Sequence, residues 1–267
     1  MNVANRVAVV TGAGSGIGRA LAHALAQRNC HLFLVDINPR GLNHTMEQVR
    51  RYGVRVAGQP LDVADAAAVR ALPAAVLTAY GRVDLLINNA GIASGGTFEQ
   101  LSETDFDRII DVNFGAVVQL TRQFLPHLHQ RDDARLVYLS SLYGLIAPPE
   151  QTAYSASKFA VRGFANALRH ELAGSTVGVT VVHPGGIATN IARHARMPKG
   201  ATEAEVRQKL AAHEKMLRMA PERAADIIVK GIESNKARIL VGNDARFIAW
   251  LERLLPVSYW TVLQKLM

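Results

Sequence analysis

Within the first 190 of 267 residues, six short runs rich in β-branched and apolar residues alternate with stretches of helical periodicity. The runs lie at 7–10, 31–35, 54–57, 84–87, 136–139 and 177–182. They are largely apolar throughout, as a strand must be when both faces of its sheet are covered. Helical stretches fall at 16–28, 40–52, 65–80, 102–112, 114–130 and 154–173, and another at 221–234 precedes a last run at 238–241. Right-handed crossovers build such an alternation into an open, doubly wound parallel sheet. An α/β fold is therefore expected, with a central parallel seven-stranded sheet flanked by helices. No repeat, low-complexity segment or linker divides the chain, so residues 1–267 are expected to form one domain.

The single cysteine, Cys30, excludes a disulfide within the chain and a cluster of thiolate metal ligands, and no metal site is expected. The start MNVANRVAVVTGAG has no basic segment leading into an apolar one with a cleavage site, so no secretory signal is expected. No run of 18 uncharged apolar residues is present, so a cytoplasmic protein is expected, at most peripheral to a membrane. The net charge is +8, and +6 of it falls in residues 192–267. These basic residues are scattered, with no run of five and no RNA-binding aromatic motif or zinc finger. No nucleic-acid partner is expected.

The first run leads into Thr11-Gly12-Ala13-Gly14-Ser15-Gly16-Ile17-Gly18, where the helical stretch 16–28 begins. Glycines at a strand-to-helix turn let the backbone approach a pyrophosphate, which rests on the helix N-terminus. The spacing is T-G-x-x-x-G-x-G rather than G-x-G-x-x-G. Asp36 closes the second run, 18 residues after Gly18. A carboxylate there accepts hydrogen bonds from both adenosine ribose hydroxyls and repels a 2′-phosphate. Ile37 follows instead of an arginine, and Ser15 brings no positive charge to the loop, so NAD(H) is expected over NADP(H). Arg40 turned inward would weaken that preference. Asp36 also has a plainer use, as a cap before Asn38-Pro39.

Further motifs follow in order: Asp62-Val63, Asn88-Asn89-Ala90-Gly91, Asn113, Ser141, Tyr154 with Lys158, and Pro184-Gly185 with Thr189. With the glycine loop, and with Ser141 thirteen residues before Tyr154, the series resembles the short-chain dehydrogenase/reductase family over nearly the whole chain. The resemblance implies a single Rossmann domain that moves hydride between NAD(H) and an alcohol or carbonyl group. It implies cofactor contacts from Gly12, Ser15, Gly16, Ile17, Gly18, Asp36, Asn89 and Gly91. Asp62 and Val63 would touch the adenine ring, and Asn88 and Ala90 would line the adenine side. Ile187, Thr189 and the backbone around Pro184 and Gly185 would meet the nicotinamide carboxamide. Tyr154 would act as general acid or base, Ser141 would hold the substrate oxygen, and Lys158 would bind the nicotinamide ribose. Asn113 would hold a water that links Lys158 to solvent.

Tyr154 and Lys158 stand one helical turn apart and share a helix face. The lysine, with a positive nicotinamide ring, is expected to bring the tyrosine pKa below its usual value of about 10. Asn113 has an alternative reading as a cap between the two helices it separates. Ser140 competes with Ser141, but the family spacing selects Ser141 and leaves Ser140 to close the strand. His183, before Pro184, reads as structural.

Substrate contacts in the family come from the loop after Ser141, from the segment after Thr189 and from the C-terminus. The loop 142–149 carries no charge. Residues 190–220 carry Met197, Met216 and Met219 and are long enough for a substrate lid, though methionines also serve as plain core filling. The expected substrate is a bulky hydrophobic alcohol or carbonyl compound, such as a steroid, retinoid, terpenoid or long-chain lipid derivative. In the apolar C-terminal extension, 243–267, Phe247, Ile248, Trp250, Leu251, Leu254 and Leu255 recur at helical spacing before Pro256, flanked by Arg246, Arg253 and Lys265. This segment serves either as a helix packed on the core or on a partner subunit, or as an interfacial helix on an anionic membrane. The resemblance implies a homodimer or homotetramer through 114–130 and 154–173. A redox-inactive nucleotide-binding regulator or a membrane-associated scaffold is the competing function. Retention of Asn113, Ser141, Tyr154 and Lys158 argues against it.

Overall fold

The apolar runs become strands β1 (Val7–Thr11), β2 (His31–Asp36), β3 (Val56–Pro60), β4 (Leu85–Asn88), β5 (Ala134–Leu139), β6 (Val177–Pro184) and β7 (Arg238–Val241). The computed structural model describes residues 1–189, 191, 195, 198–214 and 217–266, with the backbone alone at 203, 206, 209, 212–214 and 266. All the strands are parallel in one sheet, ordered β3-β2-β1-β4-β5-β6-β7. Between them run α1 (Gly16–Ala26), α2 (Pro39–Arg50), α3 (Ala66–Tyr80), α4 (Glu103–Ile110), α5 (Ala116–Leu128) and α6 (Thr152–Glu171). Helices α7 (Glu203–Glu214), α8 (Pro221–Glu233), α9 (Asn243–Leu254) and α10 (Tyr259–Leu266) complete the order.

Successive strand residues point to opposite faces, and each face has its own core layer. Ala8 and Val10 of β1 pack with the apolar sides of α1, α2 and α8. Val7 and Val9 pack with those of α3, α5 and α6. This double burial is why the runs are apolar at most positions. The exception is β3, an edge strand bonded only to β2, half-buried and two residues later than the run at 54–57. Its Gly-Gln-Pro ending is a poor strand former. The chain winds outward from β1 to β3 and then returns to β4 on the other side of β1. At that reversal the connections leave the sheet in opposite directions and open a crevice beyond the carboxyl ends of β1 and β4.

Asn113 does not cap a helix. Residues Asp111–Gly115 form a π-helical turn that joins α4 to α5 without a break. The wider turn carries the fully buried Asn113 inward, and π-turns occur often at functional sites. In the extension, Ile248, Leu251 and Leu263 pack on Ile146, with Leu142, Tyr143, Tyr259 and Trp260 around them. The Tyr259 hydroxyl accepts the Ala147 N–H at 3.0 Å. Phe247, Trp250 and Leu254 stay exposed on the other side of α9. Met219 bridges Ile187 and packs on the α1–α8 layer, which is core filling. Met197 and Met216 lie outside the described residues. Among the described residues no helix is long and apolar enough to cross a membrane.

Candidate active site

At the end of β1 the chain turns through Gly12 at φ +66°, a left-handed conformation that glycine adopts without strain. A Cβ at Gly18 would lie 2.0 Å from the Gly12 carbonyl oxygen, so α1 can approach β1 only with bare backbone there. Ser15 precedes α1 in an extended conformation and makes no side-chain capping bond. The first-turn N–H groups of a helix have no acceptor within it and face this loop. Asn89 supports the loop from behind, donating from Nδ2 to the carbonyls of Thr11 (2.8 Å) and Gly12 (3.2 Å). The Thr11 hydroxyl accepts the N–H groups of Asn89 and Ala90, both at 3.0 Å.

Asp36 ties the glycine loop to the turn that leads into α2. Its carboxylate accepts the Gly14 N–H at 2.7 Å and the Asn38 N–H at 2.8 Å. Asn38 in turn caps α2, and Arg40 is exposed. Three residues expected to contact a ligand also use their side chains within the protein. Asp62 accepts Arg108 Nη2 at 2.6 Å and the Ala64 N–H at 3.0 Å. Val63 and Ile187 are 7% and 4% exposed and belong to the two core layers.

The carboxyl end of β5 and the start of α6 bring the remaining residues together. Lys158 is 4% exposed, its Nζ donates to the Leu139 carbonyl at 3.0 Å, and it lies 5.6 Å from the Tyr154 ring centre. Ser141 caps the short turn Leu142–Gly144, and its hydroxyl oxygen accepts the Tyr143 N–H at 3.1 Å. Ser140 donates to the Lys158 carbonyl at 2.9 Å and so closes the strand. The Tyr143 ring stands edge-on to Tyr154, with centres 6.0 Å apart. Asn113 accepts the Ile92 N–H at 2.8 Å and donates to the Ile92 carbonyl at 2.9 Å and the Ser157 hydroxyl at 3.0 Å. A Cβ on Gly91 would lie 3.2 Å from Asn113 Oδ1 and 3.3 Å from Lys158 Nζ. Bare backbone at Gly91 therefore keeps a small space between the two. A Cβ on Gly16 would lie 3.2 Å from Thr189, which places the Pro184–Thr189 segment against the glycine loop.

The lowered Tyr154 pKa is expected with a positive nicotinamide ring beside it. The chain's own groups act the other way, burial raising the pKa to about 12 against a side-chain hydrogen bond from Ser141 that pulls it down. Tyr154 retains some surface, but its dense surroundings disfavour the phenolate. Burial also lowers Lys158, to about 8. Desolvation penalises whichever form is charged, so the two groups move in opposite directions. The chain's own residues thus hold the Tyr154 proton at neutral pH.

His183, Arg108, Arg162 and Asp244 also brace the site, and sequence spacing did not reveal them. Asp244 of α9 accepts the Gly186 N–H at 2.6 Å, and Arg162 donates to the Gly144 carbonyl at 3.1 Å. Each lies far along the chain from its partner, so no local motif carries the signal. Burial pushes His183 down to about 4, aided by the positive charges of Arg238 and Arg162. Because this pKa is depressed, its stabilising contribution is complete above pH 6.5 and is lost as the pH falls towards 4. The loss is of order 3 kcal/mol. Urea denaturation at pH 7 and pH 4.5 is expected to show a smaller acid loss for His183→Leu than for wild type. Equal losses would contradict a neutral buried imidazole.

A doubly wound α/β domain with a glycine loop at its first crossover and a Ser-Tyr-Lys cluster across the crevice defines a class of dehydrogenase-like proteins. Residues 6–200 match the family model described as short chain dehydrogenase, and the chain belongs to the short-chain dehydrogenase/reductase family. SadH of Mycobacterium tuberculosis (strain H37Rv), a candidate oxidoreductase by name, is 44% identical over 260 residues, covering 95% of this chain and 92% of that protein. A short-chain dehydrogenase/reductase from Burkholderia phymatum, solved in complex with NAD, superposes with a TM-score of 0.88 at 30% identity. That match covers 96% of this chain and 95% of the other. An NAD-bound short-chain dehydrogenase from Mycobacterium paratuberculosis gives 0.79 at 26% identity, covering 92% and 99%.

Proposed function

We propose that the protein is an NAD(H)-dependent alcohol dehydrogenase or carbonyl reductase acting on bulky apolar substrates, with Tyr154 exchanging the substrate proton. The observation that carries this reading is the convergence of Asn113, Ser141, Tyr154 and Lys158 beside the bare backbone of Gly91. The NAD-bound relatives support the choice of cofactor class. The residues present fit a dinucleotide. Side chains at Gly16 or Gly91 would fill the space beside Thr189 and Lys158, and α1 offers its N-terminus to a pyrophosphate. Asp36, whose carboxylate accepts the Gly14 and Asn38 N–H groups, would accept the adenosine ribose hydroxyls and repel a 2′-phosphate. Bound nicotinamide would donate or take up the hydride at the substrate carbon.

Tyr154 carries the proton at neutral pH and is set to give it to a carbonyl oxygen as that oxygen gains charge. Ser141 holds the same oxygen. Lys158, with a pKa of about 8, is poised to restore the phenol proton or to stabilise a phenolate. Asn113, bound to Ile92 and Ser157, would order water on the far side of Lys158.

The apolar segment beyond Ser141, where Leu142, Tyr143 and Ile146 are backed by α9 and α10, supports the bulky apolar substrate class. A panel of decanal, decalone, retinal and a 3-ketosteroid, against glyceraldehyde and glucose, tests this with NADH and NADPH. Higher kcat/KM for the hydrophobic members, and for NADH, is expected. Preference for the small polyols, or for NADPH, would reject the corresponding half of the reading. The reading also includes association of copies through α5 and α6, and light scattering would then return at least twice the 28.9 kDa of one chain.

A further inference from the structure

We infer that His183 is a positioning residue for Ser141, which it holds through the main-chain carbonyl. This rests on the reading of Ser141 and Tyr154 given above. His183 is fully buried near the end of β6, and its Nδ1 lies 3.0 Å from the Ser141 carbonyl oxygen. Among the described residues its Nε2 has no hydrogen-bond partner. A carbonyl only accepts, so Nδ1 carries the proton and Nε2 is left as a bare buried acceptor. An unpaired buried acceptor is destabilising, so packing alone would be better served by an apolar side chain. What the imidazole supplies is the one directed bond.

That bond falls where the strands part. A main-chain bond from the Ser140 N–H to the Val182 carbonyl, at 2.9 Å, joins β5 to β6. One residue further along both strands, the link is the His183 side chain. The Ser141 carbonyl also accepts the Gly144 N–H at 3.0 Å, so it is held from its own turn and from the neighbouring strand. Ser141 is extended (φ −164°, ψ 170°), and its hydroxyl is engaged by the Tyr143 N–H and by Tyr154. Rotation of the Ser141 peptide would therefore move the hydroxyl away from the phenol. Burial keeps the imidazole neutral, so the donating tautomer persists through the neutral range. His183 touches none of the reacting atoms and acts only through Ser141.

The test uses the full chain with decanal and NADH, comparing wild type, His183→Leu, His183→Asn and Tyr154→Phe. A misplacement of about 1 Å at a reacting centre can cost roughly 100-fold, so loss of one of two anchors is expected to lower kcat about 10-fold in His183→Leu. KM for NADH and the melting temperature at pH 7 should not worsen. His183→Asn, which can place an amide N–H near the position of Nδ1–H, should recover most of kcat. Hydrogen exchange at residues 141–147 should quicken in His183→Leu and not in His183→Asn. Wild-type turnover and exchange in His183→Leu would overturn the inference. So would equal losses in both His183 variants that follow their melting temperatures. An active Tyr154→Phe, or no decanal reduction by wild type, would overturn the underlying reading instead, and exchange at 141–147 would then decide the His183 anchor alone.

Discussion

Tyr154→Phe is expected to lower kcat about 1000-fold, within the range that a positioned acid or base contributes. NADH affinity, measured by fluorescence titration, should change little. The substitution removes one oxygen and leaves the ring that packs edge-on against Tyr143. Lys158 keeps its bond to the Leu139 carbonyl, which does not involve the phenol. Folding and cofactor binding should therefore survive while proton transfer fails. Turnover equal to that of wild type would remove Tyr154 from the mechanism. A wild type that binds dinucleotide but turns over no member of the panel would favour the regulator reading. The raised Tyr154 pKa gives a direction as well: the form set to donate a proton is dominant at neutral pH. Accepting a proton from an alcohol needs an added positive charge beside the phenol to favour its ionised form.

Gly18→Ala is expected to be the most destabilising single-methyl change at this end of the sheet. The new Cβ would sit 2.0 Å from the Gly12 carbonyl oxygen and 2.5 Å from Asn89 Nδ2. Neither is the free end of a flexible chain: one is backbone, and the other is the amide that supports the loop. Overpacking of this kind costs about 3 kcal/mol, and relief requires α1 to move away from β1. A chain of this size should then melt on the order of 10 °C lower. NADH binding should weaken as the glycine loop shifts. Gly163→Ala is the control, because within one chain a Cβ there meets nothing within 4 Å on α6, and light scattering checks that association through α6 is unchanged. Alanine is favoured over glycine in a helix interior by about 1 kcal/mol, so this variant should melt no lower than wild type. Equal melting of Gly18→Ala and Gly163→Ala would show that the α1–β1 contact tolerates a side chain.

The fold was readable because each layer of a doubly wound sheet imposes a periodic demand on the sequence. Strands β1, β2 and β4 to β7 stand where the largely apolar runs lie, and β7 coincides with its run. Strand β3 drifted because it is only half-buried, which asks less of its residues, and because it ends in Gly-Gln-Pro. The glycine loop and the Tyr154–Lys158 pair were readable for the same kind of reason, since their geometry is set within one turn of chain. The π-turn at Asn113 was not, because the residues that stabilise it, Ile92 and Ser157, are 21 and 44 positions away.

The sequence by itself determined the order of elements, the residue types offered to the crevice and the family resemblance. Those properties depend on local spacing and on the alternation of strand and helix. Only the tertiary structure decided how the offered groups are used. It gave Asp62 to Arg108 and Asn89 to the glycine loop, and it turned half of the C-terminal apolar residues onto the loop after Ser141. It also set the direction of the Tyr154 and Lys158 shifts, because desolvation depends on everything packed around a group and not on its neighbours in sequence. His183 shows the difference most plainly. In the chain it is one more residue before Pro184, and in the fold its ring reaches across from β6 to the carbonyl of Ser141.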